Sequence, residues 1–520
     1  MARWCSRLAR QPVTLEVDGS SPFRVAKDAA RICGIFFTVY QGEIEMENKK
    51  RSSFTGSIGF VLAAAGSAVG LGNLWRFPYL AARNGGGVFL LFYLVLALTF
   101  GFALLTTEIA IGRKTGQSPL TAYGAIHKKF KWVGVIACVI PALILPYYSV
   151  IGGWIMKYTL VFAAGEEAVA ATVAGDGFFG GFITSRYEPM IWFLLYLALT
   201  TFVVYKGVDK GIEKLSKFLM PILLVIIIGI SVFSLTLSSG EGEEARTGMD
   251  GFLRYVIPNF DGLQAKDYLR ILMDAMGQLF YSISVAMGIM ITYGSYVKKE
   301  TNLSKSVNQI EIFDTAVAFL AGMMIIPAVF TFQGEAGLAN SGPGLMFGAL
   351  PQVFMEMGPA LGRVIGLIFF LMVAFAALTS SVSIMEAVAS CFMDKFKMER
   401  KKATLVVAAL AAVLGVVVCL GYNVFYFDLH LPNMAPEKTG QLLDIFDYIS
   451  NYVLMPVVAI ATCVLIGWVA KPKTVIDEVA SGGAKFGRKM LYIVMIKVVT
   501  PIMLLLLLLQ AFGVFNFLDN

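Results

Sequence analysis

Histidine is almost missing from this chain: it has two, His127 and His430, and both fall in stretches that read as loops. That leaves little general-base or metal-ligating chemistry, and an enzyme is not expected. The six cysteines, Cys5, Cys33, Cys138, Cys391, Cys419 and Cys463, show no paired spacing. Several stand inside apolar runs, so neither a disulfide framework nor a metal site is expected. No nucleotide-binding motif is present, which excludes ATP as the expected energy source. Charge is scarce as well. Charged residues are 15% of the chain and hydrophobic ones 57%, whereas soluble proteins average roughly 45–50% apolar and about 25% charged. Mean hydropathy is +0.73. A compact core cannot hide this much apolar surface, but a bilayer can. No polar stretch is long enough for a soluble domain, so residues 46–520 read as a single transmembrane domain.

A helix needs about 20 apolar residues to cross the hydrocarbon. Candidate spans cover residues 54–82, 88–111, 132–163, 190–205, 218–237, 269–296, 310–332, 361–392, 403–425, 442–469 and 490–512, about eleven in all. The net charge of +7 does not imply nucleic acid, because the lysines and arginines cluster in alternate short loops. Arg113, Lys114, Lys128, Lys129 and Lys131 follow the second span, and Lys395, Lys397, Arg400, Lys401 and Lys402 follow the eighth. The intervening loops carry Glu166, Glu167, Glu241, Glu243 and Glu244 instead. Positive loops stay in the cytoplasm, which puts the N-terminus inside and, with an odd number of spans, the C-terminus outside. The expected location is a bacterial inner membrane.

Residues 1–45 are mixed in character, with Pro12, Asp18, Arg24 and Asp28. They lack a cleavage site where a signal peptide would need one. The segment Gln41–Glu45 can be encoded by a purine-rich run like a bacterial ribosome-binding site, so translation is expected to start at Met46 and the extension not to be part of the natural protein. N-terminal sequencing tests this, and a mature chain that keeps Arg10 would exclude it.

Two spans should not be smooth helices. The first contains Gly66, Gly70 and Gly72 within AGSAVGLGN, and each glycine costs a helix about 1 kcal/mol relative to alanine. Close packing through small residues would account for the glycines, but such a motif needs neither Asn73 nor Arg76 beside it. The sixth span also mixes polar and small residues at mid-depth, from Gly277 to Gly288. Irregular backbone inside a membrane is tolerated where it is buried in protein or lines a cavity, and the freed N–H and C=O groups there can meet ions. Paired interruptions in two halves point to a transporter site.

These residues carry a resemblance. GSAVGLGNLWRF at Gly66–Phe77, NGGGVF at Asn84–Phe89, KGIEKLSKFLMP at Lys210–Pro221, GQLFYSISVAMGIMITYGSY at Gly277–Tyr296 and ALTSSVSIMEA at Ala377–Ala387 closely resemble the neurotransmitter:sodium symporter family. The likeness runs from Arg51 to the C-terminus and is greatest to the eleven-span bacterial amino-acid members, such as relatives of the bacterial leucine transporter. It implies an all-α polytopic fold: an inverted repeat of two five-helix units (helices 1–5 and 6–10), one extra C-terminal helix, and helices 1 and 6 interrupted in mid-membrane.

The resemblance also implies two sodium sites. The first would use the carbonyl of Ala68 with Asn73, Ser282, Asp314 and the substrate carboxylate. The second would use the carbonyls of Gly66, Val69 and Ala376 with the hydroxyls of Thr379 and Ser380. Oxygen ligands suit a hard cation. Taken alone, Thr379, Ser380 and Ser381 would read as hydroxyls bonded back to the preceding turn. Chloride-dependent relatives have Asn where this chain has Asp314 and Ser where it has Ala318. The Asp314 carboxylate is therefore expected to supply the negative charge that chloride supplies elsewhere, and chloride is not expected as a cofactor.

Monoamine members have an Asp at the position of Gly70, so its absence favours an α-amino acid. The substrate carboxylate would lie near the amides of Leu71 and Gly72 and the hydroxyl of Tyr148, and the amine near the carbonyls of Ala68, Tyr281, Ser282 and Ser284. Ser67, Ile144, Tyr281, Ala286, Met287, Ser383 and Ile384 would line the side-chain pocket, with Ser380 at its edge. No charge lies there, which implies a neutral, hydrophobic or aromatic L-amino acid. Arg76 and Asp447, with Gln278, match the family's outer gate; Arg51, Asp394 and Tyr296 match the inner one. Glu108 and Glu386, both within spans, are expected to accept N–H groups freed at the helix breaks. No nucleic acid and no obligate protein partner are implied. A receptor on the same fold, which binds without accumulating, and a carrier of an osmolyte are the remaining rivals; uptake measurements separate them.

Overall fold

Residues 53–173, 177–241, 245–339, 342–434, 439–481, 483 and 485–516 are described by a computed structural model. The extension 1–45, Met46 and Arg51 lie outside the described residues. Where apolar runs exceed a bilayer's thickness the chain is helical. Among the described residues, nine such helices are Gly87–Thr115, Lys128–Ala164, Glu188–Lys206, Val208–Ser234, Leu303–Leu338, Pro359–Phe396, Arg400–Leu420, Leu442–Val469 and Lys489–Ala511. The short fourth span is one of them, 19 residues long.

The other two spans are broken, as the glycines and polar residues require. Ser57–Ala68 and Gly72–Arg83 form one span bent by 50°. Ala265–Ser282 and Ile289–Gly294 form the sixth, separated by irregular backbone. Among the described residues, nine helices and one bent pair are thus long and apolar enough to span; counting the interrupted stretch 265–294 as well gives the expected eleven, and each five-span half opens on an interrupted one. The exposed faces are apolar, with Val225, Ile228, Val232, Leu405, Val413 and Ile502 among them, as lipid contact demands.

Glycine sets the closest crossing. A Cβ on Gly112 would lie 2.0 Å from the Ile291 carbonyl oxygen, and one on Gly294 would lie 2.4 Å from that of Ile109. The second span and the latter part of the sixth therefore touch backbone to backbone. Outside the spans, a two-stranded hairpin, Ser238–Ser239 with Arg246–Thr247, leads into the short helix Gly248–Val256.

Candidate functional site

The first span breaks at Val69, whose ψ of 93° is extended rather than helical. Glycine is required at the next position. A Cβ on Gly70 would lie 2.8 Å from the Ser380 hydroxyl and 3.1 Å from that of Tyr148, so any side chain there would displace both. A Cβ on Gly72 would lie 2.9 Å from the Tyr281 ring. In the sixth span Ser284 (φ 54°), Ala286 (φ 62°) and Gly288 (φ 75°) are left-handed. A non-glycine residue in that region costs roughly 1–2 kcal/mol, so the surroundings must hold it. Glu108 does part of this: its carboxylate accepts the Ala286 N–H at 2.6 Å.

Glu386 behaves differently from its expected role. It accepts the Tyr296 hydroxyl at 2.6 Å and forms a two-pronged ion pair with Arg400 at 2.6 and 2.9 Å. Arg400 lies at the start of the ninth span and reaches the buried carboxylate from there, so Glu386 joins spans rather than capping a break.

Twelve of the fourteen residues expected to meet the substrate line one small cavity, all but Ala286 and Ser383: Ser67, Ala68, Leu71, Gly72, Ile144, Tyr148, Tyr281, Ser282, Ser284, Met287, Ser380 and Ile384. None carries a charge. Ser67 and Ser284 pair across it, hydroxyl to hydroxyl at 3.2 Å, and Ser284 also donates to the Ser67 carbonyl at 2.9 Å. The Tyr148 hydroxyl is buried, and no protein group pairs with it in hydrogen-bonding geometry. Ser383 is drawn away from the cavity: it accepts from Tyr293 at 2.7 Å and donates to the Thr379 carbonyl at 2.8 Å.

Beside the cavity, Asp314 is fully buried. It accepts Ser282 Oγ at 2.7 Å, Asn73 Nδ2 at 2.9 Å and the Tyr93 hydroxyl at 3.3 Å. Ser282 also donates to Asn73 Oδ1 at 3.0 Å. These three side chains, from spans one, six and seven, form an oxygen cluster with a carboxylate at its centre, which fits a hard cation. A second cluster lies at the other face of the break. Ser380 Oγ is 3.4 Å from the Gly66 carbonyl, 3.2 Å from that of Ser67 and 3.4 Å from that of Val69. The Thr379 hydroxyl bonds back to the carbonyls of Phe375 and Ala376 at 3.1 and 3.0 Å. One hydroxyl facing three carbonyls offers more acceptors than it has protons to share, an arrangement that also suits a cation. Among the described residues no three His, Cys, Asp or Glu side chains gather as a metal cluster.

Arg76 and Asp447, the expected outer gate, are not ion-paired in this structure. The Arg76 guanidinium lies 5.8 and 5.7 Å from the ring centroids of Tyr281 and Tyr452. Asp447 accepts Tyr147 at 3.0 Å and Asn451 at 2.5 Å. Gln278 is buried and donates to the Gly72 carbonyl at 2.9 Å, bracing the broken first span. Of the expected inner gate, Arg51 is outside the described residues, Asp394 accepts the Ser118 N–H at 2.5 Å, and Tyr296 reaches Glu386. Sequence reasoning missed Tyr93, Tyr147, Asn451 and Arg400. Tyr93 and Tyr147 meet partners 221 and 300 residues away, which no local pattern marks; Asn451 and Arg400 stand 4 and 14 residues from Asp447 and Glu386, a spacing that could have paired them.

Comparison with known proteins gives the family. Residues 51–166 and 185–519 match the Sodium:neurotransmitter symporter family. The chain belongs to that family. A sodium:neurotransmitter symporter is a multi-pass membrane transporter and not an enzyme, and similar proteins bear that out. The "Uncharacterized sodium-dependent transporter YhdH" of Bacillus subtilis (strain 168) is 32% identical over 479 residues, covering 91% of this chain and 100% of that protein. The "Sodium- and chloride-dependent GABA transporter 2" of Rattus norvegicus is 26% identical over 434 residues, covering 73% of this chain and 69% of that one. Among solved structures, MhsT in complex with L-phenylalanine superposes with a TM-score of 0.76 at 33% identity, covering 89% of this chain and 100% of that chain. The fold of this symporter is accordingly the inverted repeat of two five-helix units with one further helix.

Proposed function

We propose that this symporter carries a neutral, hydrophobic or aromatic L-amino acid into the cell together with sodium, by alternating access and without chloride. The observation that carries the reading is the uncharged cavity at the breaks of spans one and six, with the unpartnered Tyr148 hydroxyl on one side and the Asp314 cluster on the other. A zwitterion there has its carboxylate held by Tyr148 and the amides of Leu71 and Gly72. That carboxylate also reaches toward a sodium ion among Ala68, Asn73, Ser282 and Asp314, so substrate and ion bind as one unit. The amine faces the carbonyls of Ala68, Tyr281, Ser282 and Ser284. The side chain lies against Ile144, Met287 and Ile384. Methionine adapts to irregular shapes, which favours a range of apolar side chains including aromatic ones. The L-phenylalanine complex of MhsT supports that class.

A second sodium sits among the carbonyls of Gly66, Val69 and Ala376 and the hydroxyls of Thr379 and Ser380. Its loss to a sodium-poor cytoplasm favours inward opening. Arg76 and Asp447 close above the bound substrate, and Asp394 and Tyr296, with Arg51, form the inner closure. Because Asp314 is a carboxylate buried next to the first ion, no chloride is needed to balance charge. The protein sits in a bacterial inner membrane, N-terminus in the cytoplasm and C-terminus outside. The sodium gradient and membrane potential supply the energy, the latter worth about 2.3 kcal/mol per charge per 100 mV.

The test is uptake of a labelled mixture of neutral amino acids into proteoliposomes, with sodium inside, outside or absent and with chloride replaced by gluconate. Accumulation that requires an inward sodium gradient and ignores chloride is expected. Sodium-dependent binding without accumulation would make the protein a receptor. Accumulation of an osmolyte but of no amino acid would move the substrate class.

A further inference from the structure

The helix Gly248–Val256 presents two faces that a water-exposed helix would not. On one, Gly248, Gly251 and Tyr255 are buried. A Cβ on Gly251 would lie 2.8 Å from Pro327 Cα, and the Tyr255 hydroxyl donates to the Phe319 carbonyl at 3.0 Å, so this face is seated on the seventh span. On the other, Met249 and Leu253 stand four residues apart, and Ile257 and Phe260 continue the apolar run in the non-helical segment that follows. They are exposed by 46%, 44%, 56% and 52%. A helix facing water would carry polar residues at that spacing. The helix is held in place by a full capping box between Thr247 and Asp250, so this exposure belongs to an ordered element.

Two further observations identify what covers the stripe. Gly248 packs against the Ser234 carbonyl, where a Cβ would be 1.9 Å away. The helix therefore starts at the end of the fifth span, whose Val225, Ile228 and Val232 are themselves exposed and apolar. The stripe continues that lipid-facing surface. Beside it opens a groove of about 540 Å³ of mixed lining, with Leu253, Ile257, Ile326 and Leu338 but also Arg254, Asn259 and Asp261. Arg254 Nη1 pairs with Glu335 at 2.7 Å, and both side chains are more than half exposed.

We infer that residues 249–260 are an interfacial anchor embedded in the membrane leaflet on that side, their exposed apolar side chains covered by lipid. Amphipathic elements of this kind bury their apolar face just below the headgroups, and a guanidinium at the rim matches the phosphate level. The anchor also bears on the site. The Gly86 and Gly87 turn joining spans one and two packs on the carbonyls of Arg254 and Val256, where added Cβ atoms would lie 2.3 Å from each oxygen. Lipid at the anchor thus supports the segment from which the bent first span hangs.

The test places a nitroxide at Met249→Cys and, separately, at Leu253→Cys and Ile257→Cys in the full chain, reconstituted in phosphatidylethanolamine–phosphatidylglycerol vesicles. Collision rates with molecular oxygen and with a water-soluble nickel chelate are then compared. Unsubstituted protein gives the background from native thiols. The oxygen-to-nickel ratio is expected to exceed that of Lys266→Cys, an exposed position, by severalfold and to approach that of Val225→Cys. A ratio equal to that at Lys266 would put the stripe in water and overturn the proposal. Exclusion of both reagents would do the same, by showing that a second protein surface covers it. The three positions are exposed and independent, so a folding defect in one leaves the others to decide.

Discussion

The Glu108 carboxylate accepts the Ala286 N–H at 2.6 Å, so a side chain of the second span holds open the break in the sixth. Ala286 is left-handed, and its amide would otherwise be an unsatisfied donor at membrane depth. Leaving a buried donor unpaired costs about 1–3 kcal/mol. Glu108→Gln keeps an accepting oxygen and is expected to retain uptake, whereas Glu108→Ala is expected to lower the thermal midpoint in detergent and abolish uptake. Equal stability and uptake in the two variants would show that the break holds itself.

Asp314 and Ala318 are one turn apart on the seventh span, and both are fully buried. If the carboxylate replaces chloride, Asp314→Asn alone should lose most sodium-driven uptake. Asp314→Asn with Ala318→Ser should recover part of it, but only when chloride is present. The measurement is initial uptake in chloride against gluconate. A double variant that is insensitive to chloride would remove the argument for Asp314 as its substitute.

Tyr148→Phe deletes a buried hydroxyl that, among the described residues, makes no hydrogen bond of good geometry, although Ser380 and the Leu71 backbone lie beside it. Folding should therefore change little, while a substrate carboxylate loses a donor. A rise in the uptake KM of about tenfold is expected, corresponding to about 1.4 kcal/mol, with an unchanged thermal midpoint in the absence of substrate. A loss of stability without a change in KM would assign the hydroxyl to packing.

Glu386 is fully buried and Arg400 nearly so, the side chains being 0% and 14% exposed. Removing one member of such a pair leaves an uncompensated charge, at a cost of about 3–5 kcal/mol, whereas replacing both is much milder. Arg400→Gln should therefore destabilise the transporter strongly, and Glu386→Gln with Arg400→Gln should recover most of the loss. Thermal unfolding of the two variants in detergent, beside the unsubstituted protein, reads this directly.

Much of the architecture was legible in the chain because the bilayer imposes one simple requirement. A run of about 20 apolar residues must be a helix there, so the eleven spans and even the short fourth one could be located without contacts. The breaks were legible for the same reason: Gly66, Gly70, Gly72 and Asn73 are residues that a smooth lipid-facing helix does not use. The cavity-lining residues and the side chains proposed for the ion sites came from the family resemblance carried by the motifs around those breaks. What the tertiary structure alone decided is which polar groups meet across spans. Glu108 and Glu386 look alike in sequence, each a carboxylate inside an apolar helix. Yet one caps the break at Ala286, and the other is claimed by Arg400 and Tyr296. Tyr93 joins Asp314, and Tyr147 joins Asp447, over separations of 221 and 300 residues. Apolar periodicity records that a residue is buried. The partner of a buried polar group depends on how the helices cross, and that is a property of the assembled bundle.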